Sequence, residues 1–153
     1  MHETPKFIGV FCLPSKRLWY YEDMSEHYYT PGVCNINEPE IAYRKKAFYL
    51  GIATGVPLLV FLLVVKASPY TAIVMFLPVW IGAIGYLQAK NKFCVGYAAS
   101  GLFNSSPEYA ETKAIVDESS KKLDKARARK INYQALGIGL IGASLSSFLL
   151  FVI

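Results

Sequence analysis

The sequence predicts an all-α integral membrane protein with three transmembrane helices, its N-terminus inside and its C-terminus outside. Three observations predict this. Of 153 residues, 54% are hydrophobic and only 18% are charged, whereas a soluble domain carries about one quarter charged residues. The stretches 47–65, 70–88 and 134–153 contain no Asp, Glu, Lys, Arg or His. At about 1.5 Å per helical residue, each matches the roughly 30 Å of a bilayer core. Finally, the basic residues are segregated. Lys6, Lys16, Arg17, Arg44, Lys45 and Lys46 precede the first stretch, and Lys90, Lys92, Lys113, Lys121, Lys122, Lys125, Arg127, Arg129 and Lys130 lie between the second and third. Only Lys66 sits in the short connection between spans one and two. Segments rich in Lys and Arg stay on the cytoplasmic or matrix side, which fixes the expected topology. An ordinary soluble enzyme, a disulfide-stapled secreted domain and a disordered tail are excluded.

Residues 1–46 read as an inner-side, aromatic-rich head. The first apolar window begins too late and runs too long for a cleavable signal peptide, so the start of the chain is expected to be retained. Phe7 to Leu13 is a short apolar run ended by Pro14; a strand and a surface-docked segment fit it equally. Trp19, Tyr20, Tyr21, Tyr28 and Tyr29 follow, closed by the turn signal Thr30-Pro31-Gly32. Clustered Tyr and Trp suit a headgroup-level belt or a partner-docking surface. Glu38-Pro39-Glu40 opens a helix, because Pro is pre-set for a first helical position and an acid complements the helix dipole. That helix is expected to run through Arg44, Lys45 and Lys46 into the first span.

Spans one and two (47–65 and 70–88) form a hairpin turning at Lys66-Ala67-Ser68-Pro69. Pro57 and Pro78 stand near their middles, where each removes a backbone donor and is expected to kink its helix. Small residues recur every four positions at Ala47, Gly51 and Gly55 in span one and at Ala135, Gly139, Ala143 and Ser147 in span three (134–153). Lipid gives helices no hydrophobic reason to associate, so close approach over small side chains must supply the contact. The stripes predict that spans one and three meet each other or a partner's helix. Ser144, Ser146 and Ser147 can bond to carbonyls of their own helix.

Residues 89–133 form the inner-side loop. Phe93 to Asn104 is too short to cross and too apolar for a solvated loop, so it is expected to lie in the interface or re-enter the protein. Ser105-Ser106-Pro107-Glu108 reads as a helix start, with Tyr109, Val116 and Leu123 as a thin apolar seam. The basic end, Lys121, Lys122, Lys125, Arg127, Arg129 and Lys130, falls where anionic lipid headgroups would be, each charge worth about 1 kcal/mol. No base-stacking or groove-reading element accompanies it, so nucleic acid is not an expected partner.

The usual catalytic signatures are missing: no Gly-rich phosphate loop, H-E-x-x-H, C-x-x-C or G-x-S-x-G occurs. The spans carry no ionisable group, which coupled transporters and proton pumps need at membrane depth, and with His2 and His27 both in the head no intramembrane imidazole pair exists for haem. Cys12, Cys34 and Cys94 with His27 are the one set of soft ligands for zinc or an iron–sulfur cluster. Their spacings match no ligand motif, so no cofactor is expected, and the three cysteines read as reduced, mostly buried thiols.

The run Pro31-Gly32-Val33-Cys34-Asn35-Ile36-Asn37-Glu38-Pro39-Glu40-Ile41, with Leu87-Gln88-Ala89, Phe93-Cys94 and Leu102-Phe103-Asn104 further on, resembles the signatures of a family of small uncharacterised bacterial multi-span membrane proteins. The resemblance covers 31–104 and departs from the family at Asn37, where glycine is usual. It carries no activity. It implies a shared inner-face feature at Cys34, Asn35, Phe93, Cys94 and Asn104, beside the plainer reading of these residues as caps and packing.

Without a catalytic constellation, the chain is expected not to be an enzyme. It reads as an accessory or structural subunit of a larger membrane complex, an energy-transducing (respiratory or photosynthetic) one, in a bacterial or organellar inner membrane. Its expected partners are lipids and other membrane subunits. A homo-oligomeric transporter or channel is the alternative, and a membrane metal or redox protein using the inner cysteines a third.

Overall fold

A computed structural model describes residues 29–104 and 112–153. Three of its helices are long and apolar enough to cross a membrane: α1 (Glu38–Val64), a composite middle helix over Pro69–Lys90, and a long C-terminal helix. The middle helix begins as a 3-10 helix, Pro69–Met75, and becomes α2 at Phe76–Lys90. Pro78 explains the junction. In a continuous α-helix it would leave a carbonyl without its donor; with the α-helix starting at Phe76, Pro78 falls in the first turn, where no intrahelical donor is needed. The kink expected in mid-span two is thus replaced by a change of winding. α1 continues through Pro57 without interruption.

The middle helix is the core of the bundle. Of its apolar window 39% is buried, against 17% for α1 and 28% for the C-terminal helix, α4 (Glu118–Val152). α1 packs along α2, and α4 packs along α2 and the 3-10 helix, while α1 and α4 scarcely touch. The two small-residue stripes therefore do not meet each other; both close on the middle helix. A Cβ on Gly51 would stand 2.6 Å from the Gly82 backbone, and one on Gly85 would stand 2.7 Å from the Phe48 nitrogen. Gly55 lies over the Pro78 ring, Gly139 against Phe76 and Trp80, and Ser147 donates to the Pro69 carbonyl at 3.0 Å. Ala135 and Ala143 are buried on the same α4 face. The reason lies in α2. Gly82 and Gly85 give α1 a smooth surface, and the bulkier Phe76, Val79 and Trp80 fill the space left by glycines on α4.

Both hairpin helices end alike. At the end of α1, Lys66 N–H donates to Leu63 and Ala67 N–H to Leu62, with Lys66 left-handed (φ 48°). At the end of α2, Lys92 N–H donates to Ala89 and Phe93 N–H to Gln88, with Lys92 left-handed (φ 50°). This is the paired closure usually built on glycine. It turns Phe93, fully buried, into a cluster with Ala98, Ala128 and Ile131. At the opposite, hairpin end Leu62, Ala72, Met75 and Leu150 form a second cluster.

Beyond Phe93 comes the short α3 (Val95–Ser100), ended by the left-handed Gly101. A two-residue strand β1 (Leu102–Phe103) pairs antiparallel with β2 (Lys113–Ala114), an addition to the all-α expectation. The expected helix start at Ser105 to Glu108 lies outside the described residues, but residues 112–117 are not helical and α4 begins at Glu118. Asp117 decides this: its carboxylate accepts from the Ser119 and Ser120 amides, satisfying the first turn. The apolar seam is corrected as well. Val116 is 91% and Leu123 55% exposed, and Tyr109 lies outside the described residues.

Candidate functional site

The polar residues converge at the basic end of the bundle, where the loop before α1, the turn after α2, α3 and the start of α4 meet. Asn35 is nearly fully buried. Its Oδ1 accepts from Cys94 N–H at 2.6 Å, its Nδ2 donates to the Cys94 carbonyl at 3.1 Å, its N–H donates to Lys92, and its carbonyl accepts from Asn104 N–H. One side chain thus pairs with a backbone as a neighbouring strand would. Asn37 caps α1 by accepting from Glu40 N–H and donates its Nδ2 to Asn104 Oδ1 at 3.3 Å. Gln88 Oε1 accepts from Val95 N–H at 3.1 Å, tying α2 to α3. Buried polar groups without such partners would each cost roughly 1–3 kcal/mol.

A charged strand of this network runs beside it. Arg44 Nη2 donates to Glu40 Oε2 at 3.1 Å and to Cys94 Sγ at 3.2 Å, and Tyr97 Oη donates to the other Glu40 oxygen at 3.0 Å. Cys94 Sγ also accepts from Tyr97 N–H, capping α3. Burial first, and then the hydrogen bond to Glu40, raise the Tyr97 phenol above its ordinary pKa.

On the other side, α4 holds the N-terminal loop. Gly32, at φ 70°, sits against Leu123 and donates its N–H to Asp124 Oδ1 at 2.6 Å, while Tyr29 Oη donates to Oδ2 at 3.2 Å. The Tyr29 ring stacks on Phe103 at 4.4 Å. Asp124 is completely buried. Burial raises its carboxyl above the ordinary range despite those two donors, and burial together with the nearby carboxylate raises the Tyr29 phenol. Tyr29, read from the sequence as partner-docking, is committed to this internal latch; Trp19, Tyr20, Tyr21 and Tyr28 lie outside the described residues.

The six basic residues assigned to headgroups separate into different environments. Lys121 pairs with Glu118 at 2.6 Å, and Arg127 turns inward, its Nη2 donating to Asn91 Oδ1 at 2.6 Å. Lys122, Lys125, Arg129 and Lys130 are exposed. Of the metal-ligand set, Cys34 and Cys94 are buried, and Cys12 and His27 lie outside the described residues. Among the described residues, no group of three His, Cys, Asp or Glu side chains comes together to hold a metal.

The structure brings Asn35, Cys94 and Asn104 into one knot, sets Phe93 in the separate apolar cluster with Ala98, Ala128 and Ile131, and places Cys34 at the knot's edge, bridged to Thr30. Sequence reasoning missed Gln88, Asn91, Asp124 and the Arg44–Cys94 contact. Asp124 carried a signal, since an acid amid the basic run Lys121 to Lys130 stands out. Compared with family models, curated proteins and solved structures, the chain matches none.

Proposed function

We propose that this chain is a small accessory, structural subunit of a larger membrane complex, an energy-transducing one (respiratory or photosynthetic), in a bacterial or organellar inner membrane. Its N-terminal loop, α3 and the basic start of α4 face inward, and Ile153 faces outward. The observation that carries this reading is the gap between α1 and α4. Because both lie on the middle helix and scarcely touch, they leave an almost wholly apolar groove of about 370 Å3 over Gly51, Gly55, Pro78, Gly82 and Ala83, with Ile138 on its α4 side. Ile52, Val56, Leu59 and Val79 also line it, so it offers another membrane helix an apolar surface for the van der Waals packing that drives association in lipid. The polar knot ties the loop before α1, the turn after α2 and α3 together through the hydrogen bonds of Asn35 and Gln88, which suits a scaffold. The resemblance to the bacterial multi-span family stays part of the same proposal, and the contacts among Asn35, Cys94 and Asn104 are in keeping with the shared inner-face feature it implies.

The test is gentle detergent extraction from native membrane, followed by mass spectrometry of co-purifying chains and photo-crosslinking from Ile138. Membrane subunits crosslinked at that position are expected. Recovery of only the lone 17.0 kDa chain overturns the proposal, and a closed ring of this chain alone favours a homo-oligomeric transporter or channel. A reporter after Ile153 that lights up in the cytosol overturns the orientation.

A further inference from the structure

The basic start of α4 is not a uniform charged rod. Lys122, Lys125, Arg129 and Asn132 fall on one helical face by their spacing, whereas Arg127 is drawn inward to Asn91 and Lys121 is paired with Glu118. Ala98 and Ala128, both buried in contact with Phe93, bring α3 against α4 beside that face. The result is a cleft of roughly 520 Å3 with Val95 and Ala99 as an apolar shelf on one side and Lys122, Lys125, Arg129 and Asn132 on the other. The same α4 face continues past Asn132 into Leu136 and Leu140, which are 42% and 52% exposed. A cationic cleft opening onto an uncharged apolar stripe has the polarity of one molecule class: a phosphate at one end and a hydrocarbon chain at the other.

We propose that this cleft is a binding site for an anionic phospholipid. Its phosphate is held by Lys125 and Arg129, with Lys122 reaching the outer headgroup and Asn132 marking the boundary. An acyl chain runs along Leu136 and Leu140. Arg129 supplies a fixed fork that matches phosphate oxygens, and Lys125 a mobile point charge. Such pockets on the inner side of membrane helices suit anionic headgroups. The proposal rests on the membrane reading of the three helices and is independent of whether a partner fills the groove between α1 and α4.

The test uses the purified full chain in micelles, with native mass spectrometry of bound lipid. Phosphatidylglycerol and phosphatidylcholine of identical chains are compared in wild type, K125Q/R129Q and K45Q/K46Q, the last removing two charges from α1. Wild type is expected to retain phosphatidylglycerol over phosphatidylcholine by roughly tenfold or more, the scale of two near-surface charges. K125Q/R129Q is expected to lose that preference, while K45Q/K46Q and the charge-conserving K125R/R129K keep it. Equal retention of the two lipids, or equal loss in both neutralised variants, overturns the site. Displacement of the lipid by millimolar inorganic phosphate overturns the lipid as its occupant. A chain that is extracted alone yet retains phosphatidylglycerol sinks the complex reading and not this one; a chain washed off membranes by alkaline carbonate sinks both.

Discussion

Asn35 and Cys94 exchange two hydrogen bonds across 59 positions of sequence, the Cys94 amide donating to Oδ1 at 2.6 Å and Nδ2 donating to the Cys94 carbonyl at 3.1 Å. Both residues are buried, so no water replaces either partner. Asn35→Ala strands one backbone donor and one acceptor, and is expected to cost about 2–4 kcal/mol. Asn35→Asp keeps the acceptor but sets a carboxylate oxygen against the Cys94 carbonyl, and should be no better. Titrating mixed micelles with dodecyl sulfate while following helicity measures this; a loss under about 0.5 kcal/mol for Asn35→Ala, the scale of an ordinary surface substitution, would show that the knot contributes nothing.

Gly51 and Gly82 face each other, but not symmetrically. A Cβ on Gly51 meets the Gly82 backbone at 2.6 Å, whereas a Cβ on Gly82 finds its nearest atom at an ordinary 3.6 Å. Gly51→Ala must push α1 away from α2 and is expected to cost about 1–3 kcal/mol. Gly82→Ala should be neutral or mildly stabilising, since alanine is the better helix former. The same unfolding measurement on both variants checks the contrast; equal effects would mean that the helices are not in backbone contact at this point.

Lys66 closes α1 in a left-handed conformation, φ 48°, that side chains adopt at a cost. It is exposed. Lys66→Gly is therefore expected to stabilise the hairpin by about 0.5–1 kcal/mol, the relief of strain being offset partly by the looser unfolded chain. A drop in stability would mean that the lysine side chain contributes more than its backbone costs.

The three long helices were legible because length and absence of charge are properties of a contiguous window. The opening of α1 was legible as well, since Pro39 and Glu40 act within one turn of each other. What faces what was not. A four-residue stripe announces that Gly51 or Gly139 needs a close neighbour, but the neighbour's smoothness is written elsewhere, in Gly82 and Gly85. The start of α4 was misread because Ser105-Ser106-Pro107 and Asp117-Glu118-Ser119-Ser120 both carry capping chemistry, and local chemistry does not choose between them. The strand pairing of Leu102 with Ala114 depends on which is used. The polar knot was half visible: Asn35, Cys94 and Asn104 could be singled out, but not the Asn35–Cys94 exchange or the part played by Gln88, because those bonds join positions far apart in the chain.

The Tyr29–Asp124 latch makes stability depend on alkaline pH. Burial and the adjacent carboxylate raise the Tyr29 phenol above its ordinary value of 10.0, so the folded chain keeps a proton that the unfolded chain releases. The latch's contribution is whole below pH 10 and is lost as pH rises beyond it, because a phenolate beside Asp124 repels it. Asp124 is also raised, from 3.8, so its own contribution is greatest below that pH and fades as pH rises through its native value. Neither group gains stability from alkali. Tyr29→Phe removes the hydroxyl, and is expected to cost about 1–2 kcal/mol near neutrality through the lost bond to a buried carboxylate. The difference between wild type and Tyr29→Phe should then shrink steadily above pH 10, with Tyr97, raised in the same direction, common to both curves. Unfolding curves collected from neutral to strongly alkaline buffer decide the matter, and two parallel profiles would mean that the Tyr29 hydroxyl is not held by Asp124.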